Sequence, residues 1–188
     1  TCALPICLSN ENGEEFLFVT DSGLWKSGNG GYRQTGRVTK TYLTGKEIFS
    51  ISHPMSVGAY EPDMVFNPTE TAVAPNGDIY IVDGYGSQFV LRYDARGKFI
   101  QRFGGKDGVP ADQKLNNAHG IAIDTRQGVD KATVVVTSRL TGLGGRVVRS
   151  PFPSITHPTQ APFLEALERA QHSIDTYAGR EPGAAALA

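Results

Sequence analysis

The sequence predicts an all-β chain built from a repeated unit of four short antiparallel strands. Three observations carry that expectation. Glycine and proline are dense, at 22 and 11 of 188 residues. Both punctuate turns, so many short elements are favoured over a few long helices. Short apolar runs, alternating or continuous, lie between turn signals, as strands do. Finally, stretches of the chain recur with their turn residues in place, the mark of a repeat architecture.

The clearest unit begins at Pro68-Thr69-Glu70-Thr71-Ala72-Val73-Ala74-Pro75 and continues through Asn76-Gly77-Asp78-Ile79-Tyr80-Ile81-Val82-Asp83. Phe89-Val90-Leu91-Arg92-Tyr93-Asp94 and Gly97-Lys98-Phe99-Ile100-Gln101-Arg102-Phe103 complete it. Asn76-Gly77 is the dipeptide of a type I′ hairpin, whose two central residues both need positive φ. Asp94-Ala95-Arg96-Gly97 supplies a second hairpin turn with its glycine late. Upstream, Phe16–Asp21 matches Ile79–Asp83, and Val38, Gly45, Lys46 and Ile48 recur 52 positions on as Val90, Gly97, Lys98 and Ile100. The glycine-rich stretch Gly23–Gly36 lengthens one turn of that earlier copy. Downstream, Gly120–Asp124 matches the Thr71–Pro75 strand and Ala132–Ser138 the next, with Gly145-Arg146-Val147-Val148 starting a third strand. Four antiparallel strands joined by tight turns make a β-propeller blade. The chain thus reads as a partial propeller of two to three blades, with a generic antiparallel meander as the rival. The core expected between blades is Val73, Ile79, Ile81, Val90, Leu91, Ile100, Ile121, Ile123, Val134 and Val136.

The repeat register is absent at both ends, so three segments are expected: residues 1–13 as a leader foreign to the repeat, 14–149 as blades, and 150–188 as a Pro/Ala-rich tail. The chain starts at Thr1, and both cysteines, Cys2 and Cys7, lie in the leader. A Cys-x4-Cys pair alone is a poor zinc signature. Ser150-Pro151-Phe152-Pro153 breaks any strand. Beyond it, Phe163, Leu167, Ala170, Ile174 and Tyr177 fall on one face of a C-terminal helix over Pro158–Tyr177. That helix reads as a misassembled end rather than a native appendage. Formal net charge is −1, which excludes a strong nonspecific pull on nucleic acid or anionic membrane. No apolar run is long enough to span a bilayer.

The run Pro-Thr-x-x-Ala-Val-x-x-Asn-Gly-Asp-Ile-Tyr-Ile-Val-Asp-Gly-Tyr, with its following Tyr-Asp-x-x-Gly-Lys-Phe-Ile strand pair, resembles an NHL repeat. Through Asn67–Gly105 and Asn117–Arg139 it most resembles the propeller of the peptidyl-α-hydroxyglycine amidating lyases, and the likeness extends over roughly Glu14 to Arg149. The resemblance implies a six-bladed propeller. It also implies a zinc held at one mouth of its tunnel by histidines at the starts of innermost strands from three blades. Carried over by position, His119 in Asn117-Ala118-His119-Gly120 is a zinc ligand, Tyr85 in Asp83-Gly84-Tyr85 is the active-site tyrosine, and Arg139 is an arginine beside the site. Innermost strands converge on the tunnel, so their first residues can reach one ion, and three imidazoles with an open position suit a catalytic zinc. The sequence departs from the pattern at Ser138, where the family usually has Asp. Only one of the three histidines has a counterpart.

The expected function is therefore a fragment of an NHL-type propeller protein whose complete form resembles a zinc-dependent lyase, with the fragment itself inactive. Zinc is expected in the complete protein and none with these residues alone. A small peptide-like substrate or a protein partner would sit at the propeller mouth, and the family resemblance implies a secreted or periplasmic setting. The rival function is a non-catalytic propeller offering its loops to protein or ligand partners. His53, His157 and His172 lack a second ligand at useful spacing. Gly84-Tyr85-Gly86 and Gly104-Gly105 are not phosphate loops, since no helix start follows them. Asp78, Asp83 and Asp94 are expected to satisfy turn amides at strand ends.

Overall fold

The computed structural model describes residues 5–25, 32–110, 113–126, 132–139 and 145–149. They form thirteen strands: β1 (Ile6–Glu11), β2 (Glu14–Asp21), β3 (Leu24–Trp25), β4 (Tyr32–Gln34), β5 (Arg37–Tyr42), β6 (Glu47–Ile51), β7 (Glu70–Val73), β8 (Ile79–Val82), β9 (Val90–Tyr93), β10 (Phe99–Phe103), β11 (Ala118–Asp124), β12 (Thr133–Arg139) and β13 (Gly145–Arg149). One 3-10 turn, Pro54–Val57, joins the first two repeats. The expected helix over Pro158–Tyr177, the rest of the tail, His157, His172 and Cys2 lie outside the described residues.

The repeat is visible in the pairing. One antiparallel sheet runs β1-β2-β5-β6, a second β7-β8-β9-β10, and a third β11-β12-β13. The 52-residue offset therefore superposes β5 on β9 and β6 on β10. The glycine-rich Gly23–Gly36 stretch holds a small hairpin, β3 with β4, inserted between β2 and β5. The segment separated off as a leader contains β1, which pairs with β2 from Ile6↔Val19 to Glu11↔Glu14. β1 is the first-strand equivalent of β7, and the sequence reading did not anticipate it.

Turn chemistry explains the register. Asn76-Gly77 does not adopt the type I′ turn expected of it. Only Gly77 has positive φ, at 85°, and the bonds Gly77 N–H to Ala74 O and Ala74 N–H to Asp78 O, both 2.8 Å, close a three-residue loop. Pro75, whose ring holds φ near −65°, occupies the first corner of a type I turn, and the glycine then takes the left-handed position. Asp94–Lys98 and Tyr42–Lys46 repeat this loop, with Gly97 and Gly45 at φ 78° and 82°. The type I′ turn falls instead on Asn12-Gly13, at φ 55° and 89°, because only two residues separate β1 from β2 there.

The sheets stack face to face. β8 is buried at all four residues, and its side chains alternate between two apolar layers. Tyr80 and Val82 pack with Val90, Ala118, Ile121, Val134 and Val136 of the second and third sheets and with Leu115 of the segment between them. Ile79 and Ile81 pack with Phe18, Val38, Ile51, Tyr60, Phe66, Leu91 and Tyr93 toward the first sheet. The expected core is thereby found, with one correction: Ile100 is 45% exposed. β10 is the outer edge of its sheet, and a register irregularity between Phe99 and Gln101 lies at Ile100. Asp78 also departs from expectation. Its carboxylate pairs with the Arg92 guanidinium across the hairpin and accepts the Asn76 side-chain amide at 3.0 Å, rather than backbone turn amides. Asp94 does accept the Arg96 and Lys98 amides, both at 2.9 Å.

In the first sheet Lys40 is buried. Its ammonium meets both oxygens of Glu11, at 2.8 and 2.7 Å, and lies 4.2 Å from the Phe16 ring centre. A desolvated ammonium needs that partner, so the pair fastens β1 to the sheet.

Two measurements check this architecture. Ile81→Ala should cost about 2–5 kcal/mol in urea denaturation, as a fully buried truncation does, while Ile100→Ala stays within about 0.5 kcal/mol of the unmutated chain. Equal costs would place the alternation of β8 and β10 on the wrong faces. Glu11→Ala should destabilise by about 2–3 kcal/mol, below a wholly buried pair because Glu11 retains solvent contact. A loss within surface-pair range would show that β1 is not fastened by it.

Candidate functional site

The site grows from the first strands of the sheets. β7 lies beside β1 on one side and β11 on the other. Across the first junction, Thr20 and Thr71 share a hydroxyl hydrogen bond of 2.8 Å. Across the second, Thr69 Oγ1 donates to Ala118 O at 2.7 Å, and Ile121 N–H donates to the Glu70 carboxylate at 3.3 Å. Burial raises the Glu70 carboxyl, and the Ile121 amide offsets part of that. These bonds set the start of β11 directly against the β8–β9 loop.

That loop, 83–89, is organised by Asp83. Its side chain is fully buried. Oδ1 accepts the Asn67 amide at 2.6 Å; Oδ2 accepts the Tyr60 hydroxyl and the Ser87 amide, both at 2.7 Å. Burial outweighs these donors and pushes the carboxyl up to about 6. Burial, then the neighbouring Asp83, pushes the Tyr60 phenol far up, so Tyr60 remains a donor. The expected turn-capping role of Asp83 is present at Ser87, and Asn67 and Tyr60 extend it between segments.

Gly84 follows. A Cβ there would collide with Ala118 O, so the loop backbone itself rests on the first residue of β11. Only glycine permits that approach. His119 is the extra residue of a β-bulge, since Ala118 pairs with Ser138 and Gly120 with Thr137. A bulge turns its unpaired residue away from the ladder and re-aims its side chain. The result brings Tyr85 and His119 together, ring centroids 4.6 Å apart at 84°. His119 is exposed and Tyr85 half-buried, so the pair is open to solvent.

The third candidate, Arg139, ends β12, one residue beyond Ser138, which pairs with Ala118. Its backbone thus lies near the start of β11. His53 sits elsewhere: its Nε2 meets Met64 O at 3.0 Å and its Nδ1 accepts the Met55 amide at 3.2 Å, capping the 3-10 turn. Sequence reasoning missed Gln88. Its amide donates to Gly84 O at 2.7 Å and accepts the Asn117 amide at 2.7 Å, between the loop of Tyr85 and the strand of His119. No spacing rule signals a residue whose partners lie on two different segments.

Among the described residues, no three His, Cys, Asp or Glu side chains come close enough to hold a metal ion. A catalytic zinc takes about three protein ligands. No helix among the described residues is long and apolar enough to cross a membrane.

The titration of Asp83 has a measurable consequence. Its carboxyl is protonated up to about pH 6 in the fold, but only to about pH 4 when unfolded. Between those values the folded chain holds the extra proton, so this group's stabilising contribution is complete below about pH 4 and is lost as pH rises through 6, by about 3 kcal/mol at most. Urea midpoints measured from pH 4 to 7 should carry this falling component, and Asp83→Asn should remove it. An unchanged slope in that variant would show that Asp83 ionises normally in the fold.

No family model matches the chain. Among curated proteins, the chain is similar to the probable peptidyl-alpha-hydroxyglycine alpha-amidating lyase pgal-1 of Caenorhabditis elegans, at 34% identity over 89 residues. The match takes in 45% of this chain and 25% of that relative, so the chain spans about a quarter of the relative's length. It is a distant, partial similarity to an amidating lyase, carried by an all-β chain of repeated antiparallel sheets.

Proposed function

We propose that this chain is part of an NHL-type β-propeller protein that cleaves peptidyl-α-hydroxyglycines, with Tyr85, His119 and Arg139 at its working face. The observation that carries the reading is the meeting of Tyr85, in the β8–β9 loop of the second sheet, and His119, in β11 of the third, 34 positions apart, with ring centroids 4.6 Å apart. Support for the propeller comes from three sheets stacked on shared apolar layers, with β1, β7 and β11 side by side as innermost strands would be. The amidating-lyase relative supports the reaction class.

The chemistry asked of the site is modest. A hydroxyglycine carries its hydroxyl on the carbon that bears the amide nitrogen. When the hydroxyl proton passes to a base, a C=O bond forms and the C–N bond breaks. The nitrogen takes up a proton, leaving a peptide amide and an aldehyde acid. In this reading Tyr85 would exchange the hydroxyl proton. Arg139, at the end of β12, suits the substrate carboxylate, which a guanidinium binds bidentately. His119 would serve as one ligand of a zinc whose other ligands come from outside the described residues. When bound, such an ion polarises substrate oxygen.

The test uses the full-length product of the gene that encodes this chain, incubated with a peptidyl-α-hydroxyglycine and assayed for the aldehyde acid. His119→Ala should lose metal retention, and Tyr85→Phe should lower turnover about 10²-fold or more with metal still bound. The 188-residue chain by itself should bind zinc more weakly than micromolar in calorimetry, for want of further ligands. A folded full-length protein with neither turnover nor metal at His119 would overturn the enzyme reading and leave a binding propeller.

A further inference from the structure

Two crowded glycines and two residues with left-handed backbone surround the Tyr85–His119 pair. Gly84 and Gly86, on either side of Tyr85, have no room for a Cβ, which would collide with Ala118 O at one and with Val65 O and the Asp83 carboxyl at the other. Gln88 and Asn117 hold positive φ, 65° and 49°, without being glycine. Non-glycine residues seldom occupy that region, and they persist there when surrounding contacts over-determine them. For Gln88 those contacts are visible. Its side chain is nearly buried; Nε2 donates to Gly84 O at 2.7 Å and Gly86 O at 3.3 Å, and Oε1 accepts the Asn117 amide at 2.7 Å.

We propose that Gln88 is a positioning residue that sets the approach of Tyr85 to His119 by tying the 84–86 turn to the lead-in of β11. Only a primary amide suits both ends, because it donates to two carbonyls while accepting from one N–H. Glutamate lacks the donor when ionised, and asparagine is one methylene shorter. The left-handed backbone at Gln88 aims the amide between the two segments, and that at Asn117 presents its N–H to it. This proposal rests on the reading of Tyr85 and His119 as one working site. Its test reads geometry rather than turnover, so the two can fail separately.

The experiment follows the His119 ring CH signals by NMR in the 188-residue chain. Tyr85→Leu defines their position without the neighbouring aromatic ring. Gln88→Met keeps side-chain volume while deleting the three hydrogen bonds. In Gln88→Met the His119 signals should move toward their Tyr85→Leu position, while the amide signals of β8 keep their place. A folded Gln88→Met chain with His119 signals unmoved would overturn the proposal. Should Gln88→Met fail to fold, amide exchange in the unmutated chain decides. An Asn117 amide that exchanges slowly supports the tie, and one that exchanges as fast as a free peptide amide refutes it.

Discussion

Everything described depends on the burial of β8 on both faces. A strand whose odd and even side chains are all apolar cannot sit at a surface, so sheets must cover it on two sides. Ile79 and Ile81 draw in the first sheet, and Tyr80 and Val82 the third. That stacking places β7 between β1 and β11, and the junction bonds of Thr69, Thr71 and Glu70 follow from it. Were β8 polar on one face, neither the close approach of Gly84 to Ala118 nor the meeting of Tyr85 and His119 would have a foundation.

The second organising group is the Asp83 carboxyl, set at the end of that same strand. A loop that turns back from a buried strand carries amides which must find acceptors away from water. One carboxyl serves the Asn67 and Ser87 amides and the Tyr60 hydroxyl, joining three segments. The arrangement costs desolvation, which shows in the raised carboxyl, and it fixes the loop that presents Tyr85. Rigidity there is what the role proposed for Tyr85 requires, since a side chain exchanging a proton with substrate would have to hold its place to within a fraction of an ångström.

The bulge at His119 and the hydrogen bonds of Gln88 act on opposite sides of the same gap. One re-aims a side chain by leaving a residue out of the ladder; the other holds the facing turn at fixed reach. Both are local irregularities supported by regular structure. The β11–β12 ladder continues in register from Gly120↔Thr137 to Asp124↔Thr133, and β8 pairs with β7 and β9 over its whole length. Irregular backbone in an unsupported surface loop would drift; here it is framed on both sides by paired strands.

The sequence by itself determined the all-β class, the four-strand unit, the lengthened connection over Gly23–Gly36 and nearly all of the core, because these follow from periodicity and turn residues a few positions apart; that the connection holds a hairpin, β3 with β4, came only from the structure. Tyr85 and His119 were singled out by the family resemblance of the segments that carry them, not by periodicity or spacing. Tertiary structure decided the rest. β1 escaped notice because Ile6 and Leu8 are exposed and its one charged anchor, Glu11, meets its partner Lys40 only across the sheet. The turn type at Asn76-Gly77 depended on loop length, which the pairing of Ala74 with Asp78 sets and the dipeptide does not. Ile100 is apolar in sequence yet lies on an outer edge strand, where the strand's place in the sheet governs exposure. The distance between Tyr85 and His119, and the place of Gln88 between them, exist only once two sheets have packed, since contacts between segments far apart in the chain leave no periodic trace in it.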